Sequence, residues 1–408
     1  MEATSNRTVQ SYTDEGWHDL VHTGPGNLAG RYLRGFWQPV YRASDLPIGR
    51  AKPIRMMSED FTLYRGESGI PHLLDFRCAH RRTQLSTGWV EGEDLRCFFH
   101  GWKYNPSGQC IEQPVEPEPF CEKVRIRGYP TEEYLGFVFA YLGEGDPPPL
   151  PRFPRLEVDD ETVVRTCSSS ISDHNLFNTM VTDPTHLQFV HRETYALAGL
   201  TPPTAVRCDE TDYGHATLVT TRDGHVRVKH FIMPNIAHGR LPAPELGGID
   251  GKSGWREIMS WHVPVDDEHY HGFSIHLIHV SGEARARYLE RRSLTNKQTG
   301  APDPNELVRA ILRGDMHIEE VNAMWRAGTI PEHVLTSIQD DVARIGMGAV
   351  PDLHSERLGR LDVAESVMRQ IWMRELRALA EGRPLKQWSQ AIDLSVGPEA
   401  SEAAAAVV

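Results

Sequence analysis

Four residues of two types, at paired spacing, form the chemical centre of this chain. Cys78 and His80 come first, and after sixteen intervening residues come Cys97 and His100. Each pair offers one thiolate and one imidazole. The first follows the apolar run Leu73-Leu74-Asp75-Phe76; the second follows Leu95-Arg96 and leads into Gly101-Trp102-Lys103-Tyr104. This reads twice as a strand followed by a tight turn, so two hairpin tips can pinch one centre between them. Two centres take such a ligand set. A structural zinc binds all four residues to one tetrahedral ion. An iron–sulfur cluster can instead place both thiolates on one iron and both imidazoles on the other, which makes it less negative and raises its potential. Zinc loops more often begin with two closely spaced cysteines, so a mixed pair on each tip favours the cluster.

Cys78-Ala79-His80-Arg81 and Cys97-Phe98-Phe99-His100-Gly101-Trp102-Lys103-Tyr104 resemble the two cluster loops of Rieske aromatic-ring oxygenases nearly position for position. Gly108 fits the turn that follows, and Arg82 stands where that family commonly has glycine. The resemblance implies a [2Fe-2S] cluster on Cys78, His80, Cys97 and His100.

A second constellation is Asp183-Pro184-Thr185-His186-Leu187-Gln188-Phe189-Val190-His191. Five residues along a regular helix rotate a side chain by roughly 140°, so His186 and His191 can face one ion only if the helix widens or ends near His191. Taken alone they could equally be surface histidines in a chain that has 20. A cluster that passes single electrons needs a destination, however. Two imidazoles and one carboxylate with open positions are the ligand set of non-haem Fe(II) oxygenases. Asp-x2-His-x4-His is also how the resembled family writes its iron site, so the resemblance extends over most of residues 20–380 and implies His186 and His191 as ligands.

The third ligand must be a carboxylate from further along. Ser337-Ile338-Gln339-Asp340-Asp341-Val342 resembles the segment that supplies it in the phthalate-dioxygenase-like and O-demethylase branches. Helix neighbours point about 100° apart, so only one of the two aspartates can ligate. The position after Gln339 favours Asp340, with Glu319 and Glu320 as the fallback. Asp183 precedes Pro184 and can simply cap a helix. The resemblance implies instead that it bridges an iron-bound histidine to a cluster histidine of a neighbouring subunit, its carboxylate accepting from both imidazoles.

These residues require two scaffolds. Residues 1–35 read as a helical lead packing on the catalytic part. From Phe36 short strands alternate, among them Trp37-Gln38-Pro39-Val40-Tyr41, Lys52-Pro53-Ile54-Arg55-Met56 and Phe61-Thr62-Leu63-Tyr64-Arg65. Gly136-Phe137-Val138-Phe139-Ala140-Tyr141-Leu142 closes an all-β Rieske domain over 36–145. Gly145-Asp146-Pro147-Pro148-Pro149-Leu150-Pro151 is an extended linker. Beyond it, 146–398 reads as an α+β catalytic domain, an antiparallel sheet plus helices in a helix-grip arrangement. Its strands are predicted at 162–167, 216–221, 225–233, 255–263 and 270–280, with Asp223-Gly224 as a hairpin turn and a helix over 175–198. The chain turns helical after Ser281, with 281–335 an insertion able to roof the site, and 365–381 is an amphipathic helix ended by Gly382 and Pro384. Residues 399–408 read as a disordered tail.

The net charge of −13 argues against nucleic acid and anionic membranes as partners. No apolar run reaches transmembrane length, the first residues lack a signal-peptide pattern, and six cysteines do not make a disulfide scaffold, so a cytoplasmic location is expected. With no Gly-x-Gly-x-x-Gly loop after a strand, electrons must come from NAD(P)H through a separate reductase or ferredoxin. The resemblance implies the α-subunit of a homotrimeric oxygenase that combines O2 with a small aromatic substrate, a carboxylic acid. Cations beside the predicted strands that could meet such an acid are Arg207, Arg222, Arg227, Lys229, His230 and Arg240. Two rivals remain, an electron carrier without a second iron and a zinc-stabilised binding protein. A red-brown colour would exclude the second.

Overall fold

The computed structural model describes residues 14–180, 186–197, 201–224, 226–242, 255–295 and 302–389. Asp183 and the 399–408 tail lie outside them. Two helices, α1 (Asp14–Val21) and α2 (Leu28–Arg34), lead into a run of short antiparallel strands. β1 (Gln38–Arg42) later pairs with the end of this run. β2 (Ala51–Met56), β3 (Glu59–Arg65) and β4 (Pro71–Asp75) form a meander, and β5 (Trp89–Glu91), β6 (Asp94–Arg96), β7 (Lys103–Tyr104) and β8 (Cys110–Glu112) form a second one. β9 (Gly128–Tyr129) joins the edge of β4, and β10 (Thr131–Tyr134) and β11 (Phe137–Ala140) close a three-stranded sheet with β1. Leaving β4 and β6, the chain makes the two cysteine–histidine tips. A small core of Leu74, Leu85, Leu95, Trp102 and Tyr104 packs directly beneath them.

The second scaffold is one antiparallel sheet. Its strands are β12 (Val163–Ser172), β13 (Pro203–Glu210), β14 (Gly214–Thr221), β15 (Val226–Ile232), β16 (Ile236–Pro242), β17 (Trp255–Pro264) and β18 (Tyr270–His279), in the order β12-β18-β17-β16-β15-β14-β13. The five predicted strands are present. β13 and β16 were not foreseen. β16 carries Gly239, Ala237 and Pro242, poor strand formers. It is held on both sides by ladders to β15 and β17.

The predicted helix over 175–198 appears in pieces. A 3₁₀ turn at Leu176–Asn178 is followed, beyond the undescribed 181–185, by α3 (Leu187–Val190) and α4 (Arg192–Leu197). The helices α5 (Gly282–Thr295), α6 (Pro304–Arg313), α7 (Ile318–Arg326), α8 (Glu332–Gly346) and α9 (Val363–Ala380) complete the chain. α6, α7 and α8 share their own apolar core of Leu307, Val321, Leu335 and Ile338. The long α9 lies against β13 and β14 and receives α1 and α2 on its other side. Trp372 of α9 stands edge-on to Tyr32 at 5.2 Å and to Phe177 at 5.3 Å.

The two scaffolds share one core. Phe137 and Phe139 of β11 meet Phe273 and Trp261 of the large sheet edge-on, at 5.4 and 5.8 Å. The β2–β3 turn adds backbone hydrogen bonds, the Met57 and Ser58 N–H groups donating to Pro264 and Val265 carbonyls. No described helix is long and apolar enough to cross a membrane.

Candidate functional site

The two tips are built alike. In each, the cysteine N–H donates to the carbonyl five residues on, Thr83 at 2.9 Å and Trp102 at 2.8 Å. In each, the residue four on donates back to the cysteine carbonyl, from Arg82 at 3.0 Å and Gly101 at 3.1 Å. That returning residue is left-handed in both, with φ +63° at Arg82 and +75° at Gly101. This explains why glycine would be favoured at position 82. Arginine there costs on the order of 1 kcal/mol of backbone strain. Its carbonyl is held by the Arg77 guanidinium at 3.0 Å.

Cys78 and Cys97 are buried at the base of the tips, whereas Phe98 and Phe99 are exposed at the rim. The rings of His80 and His100 lie 4.5 Å apart, and His80 stacks on Trp102 at 4.6 Å. Hydrogen bonding from Cys78 holds the Cys97 thiol below its ordinary range despite burial, helped by the Phe99 and His100 N–H groups. The Nδ1 of His80 is buried and finds no hydrogen-bond partner among the described residues. These donors fit a two-iron cluster with sulfurs below and imidazoles above. They do not fit one zinc, whose four donors lie roughly 3.5–4 Å apart. Among the described residues, the only three or more potential ligand atoms that converge within 4.8 Å of one another belong to another set.

That set is His186, His191 and Asp340. α3 ends at Val190, and His191 leaves helical geometry with φ −106° and ψ 27° before α4 begins. The break turns both imidazoles to one side, their ring centroids 5.3 Å apart. Asp340, on α8, places Oδ1 3.0 Å from His191 Nε2 and 3.6 Å from His186 Nε2. Its Oδ2 is 3.3 Å from the Arg344 guanidinium one turn later. Burial alone would raise the Asp340 carboxyl; the His191 hydrogen bond and the Arg344 charge together hold it below the usual range. A carboxylate already ionised between two imidazoles suits a divalent cation, and the set fits mononuclear iron. Asp341 faces elsewhere. Burial raises it to about 6, and it accepts from Ser337. Glu320 is occupied in the capping box of α7, and Glu319 accepts from Asn322 at 3.1 Å.

A cavity of about 360 Å³ opens beside Asp340 and Arg344 over one face of the sheet. Alternate residues of β14 (His215, Thr217), β17 (Ile258, Ser260, His262) and β18 (Tyr270, Gly272, Ser274) line it, as the two-residue strand period dictates. Of the six basic candidates, Lys229, His230 and Arg240 border it and Arg207, Arg222 and Arg227 do not; strand alternation turns Lys229 to the cavity face and His230 and Arg240 to the opposite one. Arg240 and His238 flank the fully buried Glu257, at 3.4 and 2.9 Å. None of the described residues of 281–335 lines the cavity, so they do not roof it; from this segment Asn322 stands behind His191, through Gln339. Arg344, His215, His238 and His262 were missed from sequence, although strand alternation could have indicated the histidines of β14 and β17.

Comparison with known proteins extends this geometry. A family model described as the Rieske [2Fe-2S] domain matches residues 36–130. The 5,5'-dehydrodivanillate O-demethylase oxygenase subunit of Sphingobium sp. is 28% identical over 389 residues, spanning 90% of this chain and 81% of that protein. The phenoxybenzoate dioxygenase subunit alpha of Ectopseudomonas oleovorans is 33% identical over 280 residues, 62% of this chain and 66% of that one. The fold is also that of the oxygenase in a reduced oxygenase–ferredoxin complex of carbazole 1,9a-dioxygenase, with a TM-score of 0.60 at 18% identity over 92% of this chain and 99% of that one.

Proposed function

This chain belongs to the Rieske non-haem iron oxygenase α-subunits, and from that premise we propose that it hydroxylates an aromatic acid, or O-demethylates or cleaves an ether of one. In this reading it is the terminal oxygenase of a multicomponent system, taking electrons from NAD(P)H through a separate reductase or ferredoxin. The observation that carries it is the convergence of His186, His191 and Asp340 at the edge of a polar cavity, in the chain that also bears the cluster tips. An electron carrier would have no use for the second set.

When loaded, the two iron sites supply one-electron transfer and dioxygen activation. The protein's share is positioning. Cys78, Cys97, His80 and His100 hold the cluster; His186, His191 and Asp340 hold the iron. Arg344 fixes one Asp340 oxygen and leaves the other directed at the imidazoles. Lys229, on β15, offers positive charge to a substrate carboxylate, while Phe231, Ile258 and Tyr270, on the same face of the sheet, offer apolar wall to its ring. The relatives' names, which point to aromatic acids, support the same class. Asp183, three residues before His186 in sequence, is proposed to link this iron to the cluster of a neighbouring subunit in a homotrimer.

The test is oxygen uptake by the purified, iron-loaded protein with a generic ferredoxin–reductase pair, NADH and a panel of aromatic acids. Uptake should require one of the acids, should yield an oxygenated or dealkylated product, and should vanish in Asp340→Asn. An enzyme with both iron sites full and no substrate-dependent uptake across the panel would refute the reading.

A further inference from the structure

We infer that Gln339 and Asn322 are positioning residues for the mononuclear iron, forming a one-way hydrogen-bond relay that fixes which nitrogen of His191 faces the metal. The inference rests on the iron site proposed above. The relay starts at Glu319, whose carboxylate can only accept. Asn322 must therefore turn its Nδ2 to Glu319, at 3.1 Å, which leaves its Oδ1 facing inward. That oxygen accepts from Gln339 Nε2 at 2.9 Å. With its amide nitrogen committed there, Gln339 presents Oε1 to His191 Nδ1 at 2.7 Å. An acceptor at that point requires the proton on Nδ1, which assigns Nε2, 3.0 Å from Asp340 Oδ1, as the ligand atom.

The relay is also closed, and its three inner members are dry. Arg192, the residue after His191, pairs with Glu319, so the ring of contacts runs from His191 through α8 and α7 and back to the start of α4. His191, Gln339 and Asn322 are each 5% exposed or less. Reversing either amide would set like poles against each other where water cannot repair them. The apolar core of α6–α8 already docks these helices, so the polar chain is not needed to hold them together.

The test uses the purified full chain and reads metal affinity, by chelator competition with Fe(II) and by the visible spectrum of a Co(II) substitute. The wild type should hold one ion that His186→Ala removes. Gln339→Met keeps the bulk but cannot accept from Nδ1, and should weaken binding about 10–100-fold. Gln339→Glu still accepts there and should stay within a few-fold of wild type. Asn322→Leu frees the Gln339 amide to reverse and should weaken binding about ten-fold. Cluster absorbance should stay near wild type in all three, and melting temperature should fall by no more than a few degrees. If Gln339→Met does not fold, Asn322→Leu decides. Unchanged affinity in Gln339→Met, or in the deciding Asn322→Leu, overturns the relay, as does equal loss in Gln339→Met and Gln339→Glu, which would mean packing alone. A wild type with no such ion would instead sink the iron site, and the relay with it.

Discussion

Tyr104 lies where the placement of one proton sets a redox property. The Ala79 N–H donates to its oxygen at 3.1 Å, so the hydroxyl hydrogen is available for Cys78 Sγ at 3.2 Å. Hydrogen bonds to cluster sulfurs help set the potential, and one donated to a sulfur favours the more negative, reduced state. Tyr104→Phe should therefore lower the midpoint potential in a spectroscopic redox titration without loss of iron; an unmoved potential would show that the hydroxyl donates elsewhere. The two neighbouring aspartates divide as sharply. Burial raises Asp341 to about 6, above the value of about 3.9 for an unfolded chain, so its ionised form costs stability above pH 4 and in full above pH 6. Asp341→Asn should thus gain about 1–2 kcal/mol at pH 7, gain nothing at pH 4, and keep mononuclear iron. Asp340→Asn should lose that iron with the cluster spectrum intact. Melting curves at the two pH values and metal analysis check both; loss of iron in Asp341→Asn alone would move the ligand by one residue.

At the scale of elements, the large sheet decides what the cavity can bind. Strand alternation delivers side chains from three strands to one face, and β15 adds Lys229 and Phe231. Arg207 sits on edge strand β13, 72% exposed and paired with Asp209. Lys229→Met should raise KM for the aromatic acid about ten-fold, the equivalent of ~1.4 kcal/mol, and leave both iron sites occupied. Arg207→Met should change neither. Equal KM values in wild type and Lys229→Met would remove this lysine from substrate recognition.

Across the whole molecule, the catalytic domain holds many of its histidines neutral. Burial pushes His174, His215, His230, His262, His271, His276 and His279 each down to about 4. Unfolded histidine titrates near 6.5, so below that pH the unfolded chain binds protons that the folded one refuses. The stability is fully present above about pH 6.5 and erodes as pH falls toward 4. Asp341 and Glu365, raised to about 6 and about 7, act in the opposite sense, as do Asp94, raised by burial, and His191, raised by Asp340 despite burial, but they are four against seven. The melting temperature should therefore drop steeply between pH 6.5 and 4, with uptake of several protons on unfolding at pH 5. A flat profile there would mean that water reaches these rings.

What the sequence determined by itself is what local spacing can encode. Ligands two and three residues apart on strand-end turns leave little freedom, so the cluster tips were legible residue by residue. The five-residue step from His186 to His191 required a helix that widens or stops, and α3 stops at Val190. Strands with clear alternation were legible too; β13, polar and at an edge, and β16, with Gly239 and Pro242, were not, because neighbouring strands rather than propensity hold them. Which aspartate meets the histidines depended on how α8 packs, across 149 residues of chain. The same packing brings Gln339 and Asn322 behind His191 and, of the six basic candidates, turns Lys229 to the cavity face. Only the tertiary structure could settle these. Each depends on the face an element turns to a partner distant in sequence, which is fixed by the shared core rather than by local residue order.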